Sequence, residues 1–284
     1  MLGLARFVMK GKVQAVIATI LLGVLPLVNL LNPALIGLLV LRKGFGQTFG
    51  IAIWAVLPLV GWTLTGDIAP LMIMVGICGL ASTLRATNSW EYTLVAAIGV
   101  GLAIETYFRI QPAILDTLFQ QVQSFVQNNA EVLQGENIRN LVISGLASSY
   151  MSLSIGLTML SRWMQAGLYN PGGFKKEFHQ LRIGQRLTLF LVSCMILASF
   201  GIFVPETWYG YFRLPLVFSG IGLVHAICAK RNIPVTALVV FYILLPVTFG
   251  LVALLAVIDS WYDFRGRVKP VSYTHLTLPT KRIV

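Results

Sequence analysis

Few residues in this chain could do chemistry, and those that could stand singly inside long apolar runs. Glu105 is the acid nearest the interior of such a run, close to Tyr107 and one helical turn before Arg109. An ionisable group at that depth is costly and usually faces a cavity or a partner. The alternative is an interfacial pair with Arg109, four residues on. Asn29 and Asn32 lie beside Pro26 and Pro33 and mark a break in a helix. A break frees backbone groups that only a protein- or water-lined place tolerates inside a membrane. Broken helices of this kind often frame substrate sites in transporters, and a plain structural kink fits the same residues. His225 falls near the end of the apolar run 214–229, where it serves either as a hydrogen-bonded packing group or in a proton relay.

Catalytic motifs are absent. The chain has no G-x-x-x-x-G-K-[ST], H-E-x-x-H, paired C-x-x-C or G-x-S-x-G. Gly44, Gly46 and Gly50 resemble a nucleotide fingerprint, but Phe49 stands where its third glycine belongs and a membrane segment precedes it, so the stretch reads as a turn. Cys78, Cys194 and Cys228 each fall alone in apolar runs, which argues against disulfides or a metal site. No enzyme activity, cofactor or metal is expected.

The elements that must position these groups follow from composition. Of 284 residues, 57% are hydrophobic and only 11% charged, against roughly 25% charged in soluble chains. A soluble enzyme, a secreted disulfide scaffold, a disordered tail and a nucleic-acid module are thereby excluded. The net charge of +11 is spread in short clusters at the ends of apolar runs, as loops held in the cytoplasm require. The expected fold is an all-α polytopic transmembrane helix bundle of about eight to ten membrane segments, short broken helices included.

The first stretch, 13–41, is interrupted by Pro26, Asn29, Asn32 and Pro33 and reads as a helix to about Val28 followed by a short one. Segments 49–64, 68–84, 92–107, 141–160, 187–204 and 214–229 follow. The last, 234–258, contains Pro246 and Gly250 and reads as one tilted helix or a pair. With the N-terminus inside as an uncleaved first helix, the inner loops collect Arg6, Lys10, Lys12, Arg42, Lys43, Arg85, Arg162, Lys175, Lys176, Arg182, Arg186, Lys230 and Arg231. Only Arg109, Arg139 and Arg213 fall outside. Arg265, Arg267 and Lys269 also belong inside, which favours a broken final pair. Residues 1–270 form a single integral membrane domain. Residues 271–284 look like a translated sequencing adaptor and are expected to have replaced a few native residues.

Two further segments do not span. Residues 112–133 carry Leu115, Leu118, Val122, Phe125 and Val132 on one stripe, an amphipathic helix on the outer side that lies over the bundle or on the lipid surface, or lids an outer cavity. The inner loop 161–186 turns at Asn170-Pro171-Gly172-Gly173. Beyond it Phe174, Phe178 and Leu181 share a face opposite Lys175, Lys176, His179 and Arg182. Such a basic amphipathic helix suits anionic lipid headgroups or a docked cytoplasmic partner. Arg162, Trp163, Tyr169 and Asn170 complete this docking set. Ser144, Ser148, Ser152 and Gly156 repeat at every fourth position, a small-residue ridge for close helix approach or for another membrane subunit, and Gly222 with Ala226 gives a shorter one.

The run Arg162-Trp163-x-Gln165-Ala166-x-Leu168-Tyr169-Asn170-Pro171-Gly172-Gly173-Phe174, with Glu177-Phe178 and Leu181-Arg182 after it, resembles a segment of the YybS-like family of bacterial multi-pass membrane proteins. The closing Asp259-Ser260-Trp261-Tyr262-Asp263-Phe264-Arg265 is similar to that family's end. The resemblance extends to about Lys269. It implies a fold similar to the substrate-capturing membrane subunits of energy-coupling-factor transporters, which bind vitamins or metal ions and dock onto a shared transmembrane subunit and two ATPases. Those subunits have about six helices, fewer than expected here, and the resemblance transfers no binding residues. It also implies a bacterial inner membrane.

Two functions follow as expectations. The first is a transporter-like, small-solute-binding subunit without its own ATPase, with Asn29, Asn32, Glu105 and His225 as solute residues and an ATPase module as partner. The second is a membrane scaffold that recruits partners for envelope assembly or growth. The lipid bilayer is a partner in both; nucleic acid is not.

Overall fold

The computed structural model describes residues 1–25, 28–64, 68–111, 115–116, 118–120 and 135–268. Most of the amphipathic segment 112–133, and all of 271–284, lie outside the described residues. The elements are α1 (Leu2–Met9), α2 (Lys12–Val24), α3 (Leu31–Lys43), α4 (Phe45–Leu64), α5 (Ala69–Thr87), α6 (Trp90–Ile110), α7 (Gly135–Tyr169), α8 (Gly173–Gln180), α9 (Gln185–Ser199), α10 (Tyr209–Lys230), α11 (Val235–Tyr262) and α12 (Phe264–Arg267). A 3-10 turn, Glu206–Trp208, precedes α10. The molecule is an all-α helical bundle, with no strand among the described residues.

Six of the described helices are long and apolar enough to cross a membrane, or seven if the pair α8 and α9, bent by 59°, counts as one span. The expected eight to ten is reached only by also counting short helices such as α2 and α3, each of 13 residues. At about 1.5 Å per residue neither covers a 30 Å hydrocarbon layer alone.

The break in the first stretch is real, with α2 ending at Val24, a turn at 28–30 and α3 starting at Leu31. One freed group, the Gly23 carbonyl, accepts from Trp62 Nε1 at 2.8 Å; Asn32 Nδ2 ties α3 to α4 by donating to the Ala55 carbonyl at 2.9 Å, while its Oδ1 is buried without a partner. From there α3 runs as the hub, buried at every position from Asn32 to Leu41 and packed against α2, α4, α5 and α7.

Lipid tails are as apolar as leucine, so shape and small residues drive this packing. A Cβ on Gly37 would fall 2.5 Å from Ser161 Oγ of α7, and one on Gly76 would fall 2.8 Å from Ser154 Oγ. Close approach on α7 therefore runs through Ser154 and Ser161. Of the ridge foreseen from sequence, Ser144 is buried and Ser148 meets Gly210, whereas Gly156 is exposed. A four-residue repeat drifts around a 3.6-residue helix and leaves the core face after two turns. Gly222 and Ala226 do pack inward, with the Gly222 Cα against the Phe178 carbonyl and Leu181.

The last stretch is hydrogen-bonded as one helix, α11, in place of a broken pair. It nevertheless returns the chain to its starting end. Lys230, which closes α10 just before α11 begins, donates to the carbonyls of Arg265 and Val268, just after α11 ends. A straight helix of 28 residues would hold its ends about 40 Å apart. The turn from Cys228 to Ile233 and the turn of α12 leave no slack for that distance. α11 must bend back through its middle, where Pro246 removes a backbone donor and Gly250 follows one turn later.

The returning end is clamped by Arg265. Its Nε donates to Asp259 Oδ2 at 3.1 Å, Nη1 to the His179 carbonyl at 2.9 Å and Nη2 to the Ser219 carbonyl at 2.9 Å. Burial pulls the guanidinium below its ordinary pKa, and Asp259 opposes that pull. Arg182 adds bonds to the Ser260 carbonyl at 2.7 Å and to Asp263 at 3.2 Å. Removing one partner of a buried pair strands the other charge, at roughly 3–5 kcal/mol. Arg265→Gln is therefore expected to destabilise the protein by about that amount, read as a lowered Tm in detergent together with protease cleavage near residues 263–268. An unchanged Tm would show that the clamp adds nothing to stability.

Candidate functional site

At the end of the bundle opposite Arg265, α6, α7 and the turn before α10 enclose a cavity of about 790 Å³. Its walls include Leu102, Glu105, Thr106, Arg109, Asn140, Thr207 and Trp208. Glu105 and Arg109 share one face of α6 because they are four residues apart. Asn140 comes from the first turns of α7, and Tyr211 from the first turn of α10. Gly101 lets that helix approach, since a Cβ there would stand 3.3 Å from the Tyr211 ring and 3.2 Å from Met151 Sδ.

Glu105 is only 3% exposed. Its Oε1 accepts from Arg109 Nε at 2.9 Å and Nη2 at 2.6 Å, and Arg109 Nη1 donates to Asn140 Oδ1 at 3.1 Å. Glu105 is thus paired with Arg109 and also lines the cavity. Its second oxygen, Oε2, is buried without a hydrogen-bond partner, as are Tyr211 Oη and Thr207 Oγ1. A buried polar atom left unbonded costs about 1–3 kcal/mol; Glu105 and Thr207 stand in the cavity wall, whereas Tyr211 is fully buried behind it with its hydroxyl close to Glu105. The volume lies within the usual 300–1,000 Å³ of ligand pockets. Among the described residues lining the cavity, none pairs a nucleophile with a base. Among the described residues no three His, Cys, Asp or Glu converge as a metal site needs.

The four residues foreseen for a solute do not meet. Asn32 is buried between α3 and α4, beside Gly23 and Pro58, with Asn29 just before it. His225, on α10, is a packing group. Its Nε2 bonds Tyr242 Oη at 2.8 Å, and its ring lies edge-on to Phe178 at 5.2 Å. Glu105 alone belongs to the cavity.

The foreseen docking set divides in two. Arg162 grips Glu177 through Nε at 2.9 Å and Nη2 at 2.7 Å, while Trp90 Nε1 reaches the same carboxylate at 3.4 Å. Phe174 packs on Trp90 and stacks on Phe178, and Arg182 is held by the clamp. These residues bond the protein to itself. Trp163, Tyr169, Asn170, Lys175 and Lys176 remain on the surface, with Tyr169 beneath the Arg42 guanidinium at 4.2 Å. The turn forms as its residues dictate, with Gly172 at φ 83° ahead of α8.

Four residues that matter here had no local signal of their own in the sequence. Tyr211 is one aromatic among many, and nothing singles out Glu91, yet its Oε1 accepts from the Gly184 amide at 2.6 Å. Asp259 and Arg265 were visible only as the ends of a motif, and nothing in their spacing says that the chain turns between them at Asp263.

Compared with protein-family models, curated proteins and solved structures, the chain finds no match. If Tyr211 Oη is unbonded, Tyr211→Phe removes only an unsatisfied group and should leave Tm unchanged or raise it. A loss exceeding about 1 kcal/mol in thermal unfolding would instead reveal a bond to Glu105.

Proposed function

We propose that this chain is a transporter-like membrane subunit that holds a small solute in the cavity beside Glu105. One observation carries the reading: a buried carboxylate keeps an unpartnered oxygen at the wall of a ligand-sized cavity. Intramembrane ionisable residues facing cavities mark solute pathways by default, and the absence of nucleotide motifs in the sequence assigns energisation to another subunit, such as a cytoplasmic ATPase module. In this reading the protein is YybS-like and lies in a bacterial inner membrane. Its N-terminus and the basic end carrying Arg162, Arg182 and Lys230 face the cytoplasm, and the cavity faces outward.

A second reading rests on Lys175 and Lys176, which are exposed on α8, as Trp163 is on α7. It is a scaffold that docks partners through this basic patch and holds no solute.

One comparison separates the two. The protein is extracted in native lipid particles, and bound small molecules and co-purifying proteins are identified together by mass spectrometry. Under the first reading the wild-type chain carries a stoichiometric solute. Glu105→Gln loses it by roughly tenfold or more, as expected when a charge-assisted bond worth 1.5–3 kcal/mol disappears, with helicity and Tm retained. Lys175→Gln with Lys176→Gln leaves solute binding untouched. Recovery with lipid and envelope-assembly proteins alone, abolished by the lysine pair and indifferent to Glu105→Gln, would replace the first reading with the second.

A further inference from the structure

A separate cleft opens at the basic end between α2 and α4, away from both the outer cavity and the Arg265 clamp. It measures about 610 Å³ and is lined by Lys12, Val16, Lys43, Gln47, Ile51 and Trp54, with Gly46 and Gly50 in its wall. Lys12 is exposed and Lys43 half-buried, and neither ammonium has a hydrogen bond or ion pair among the described residues. No acid lines the cleft. The neighbouring cation, Arg42, is turned onto the Tyr169 ring. A Cβ on Gly46 or Gly50 would meet nothing within 4 Å, so both glycines leave the cleft open rather than packing a neighbour.

The lining is graded. Gln47, Gly50, Ile51 and Trp54 recur at three- and four-residue intervals and therefore share one face of α4 about 10 Å long. The ammonium groups and Gln47 stand at one end of that face; Val16, Ile51 and half-exposed Trp54 continue from it along the helix. A cationic mouth leading onto an apolar wall matches an amphiphile whose head is anionic. Inorganic phosphate would leave the apolar half unused. A zwitterionic headgroup would bring its own cation to two unneutralised lysines. Polybasic sites at the cytoplasmic leaflet attract anionic lipid on these grounds.

We propose that this cleft binds one anionic phospholipid, its phosphate bridging Lys12 and Lys43 and its first acyl chain lying along Val16, Ile51 and Trp54. The full chain in detergent is titrated with dioleoylphosphatidylglycerol and, separately, dioleoylphosphatidylcholine, and bound copies are counted by native mass spectrometry. Glycerol 3-phosphate is the headgroup-only competitor. The wild-type chain should retain one phosphatidylglycerol in preference to phosphatidylcholine. Lys12→Gln with Lys43→Gln should weaken that retention roughly ten- to thirtyfold, while Lys175→Gln with Lys176→Gln should not. Gly50→Leu fills the cleft without removing a charge and has room to fold, so it should weaken binding too and carries the test if the lysine pair impairs expression. Undiminished retention in the lysine or Gly50 variants, or equal retention of the two lipids, would overturn the proposal. Displacement of the lipid by glycerol 3-phosphate at similar concentration would also overturn it, in favour of a free phosphate-ester site.

Discussion

The basic end of this protein is organised by one requirement, that backbone groups freed between α8 and α9 find bonds where water is scarce. The chain from His179 to Gly184 leaves helical geometry at a 59° bend, and an unbonded amide or carbonyl in an apolar setting costs several kcal/mol. Three of the freed groups are met from three different elements. Arg265 reaches the His179 carbonyl, Ser219 Oγ the Leu181 carbonyl at 3.4 Å, and Glu91 the Gly184 amide. The return of α11 follows from this need, because Arg265 can reach His179 and Ser219 only if the chain comes back to the end it left. Asp259 then keeps the buried guanidinium from standing alone.

Packing sets the remaining geometry and works through absences of side chain. Gly37, Gly76 and Gly101 each sit where a methyl group would strike a neighbour, and these contacts bring α3, α5 and α6 against α7 and α10. α11 is the counterexample. It is the most apolar of the long helices and the least buried of them, with Val247 88% exposed. In water that surface would be a liability; in a bilayer it faces hydrocarbon at no cost.

The sequence was most informative where physics is local. Apolar runs located the long helices, although α7 extends from Gly135 to Tyr169, well past the apolar run 141–160 at both ends; Pro33 with Asn29 and Asn32 marked the first break, and Asn170-Pro171-Gly172-Gly173 formed the turn it spelled. It was least informative where partners are distant along the chain. Glu105 could be singled out as buried and one turn from Arg109, but no local pattern says that Tyr211, over a hundred residues later, would lie beside it. The docking face failed to separate for the same reason. Arg162, Phe174 and Arg182 look as free as Lys175 and Lys176 until Glu177, Trp90 and Asp263 are placed in space. The repeat of small residues on α7 misled because spacing of four and a true helical face diverge within a few turns.

The cavity and the broken segment are far apart but share a helix. Tyr211 stands in the first turn of α10 at the cavity, Ser219 and Gly222 touch the break, and Lys230 closes the returning α11. From Tyr211 to Lys230 is about 28 Å at 1.5 Å per residue, most of the thickness of a hydrocarbon core. Pro215 lies between the two sites, and the carbonyl its missing amide leaves free is that of Tyr211 itself. The helix is therefore most easily bent at the residue that borders Glu105. Tyr211 is thus relieved of one helical bond at its carbonyl, while the same helix below Pro215 is tied to the broken segment by the Ser219 hydroxyl and to α12 through Arg265.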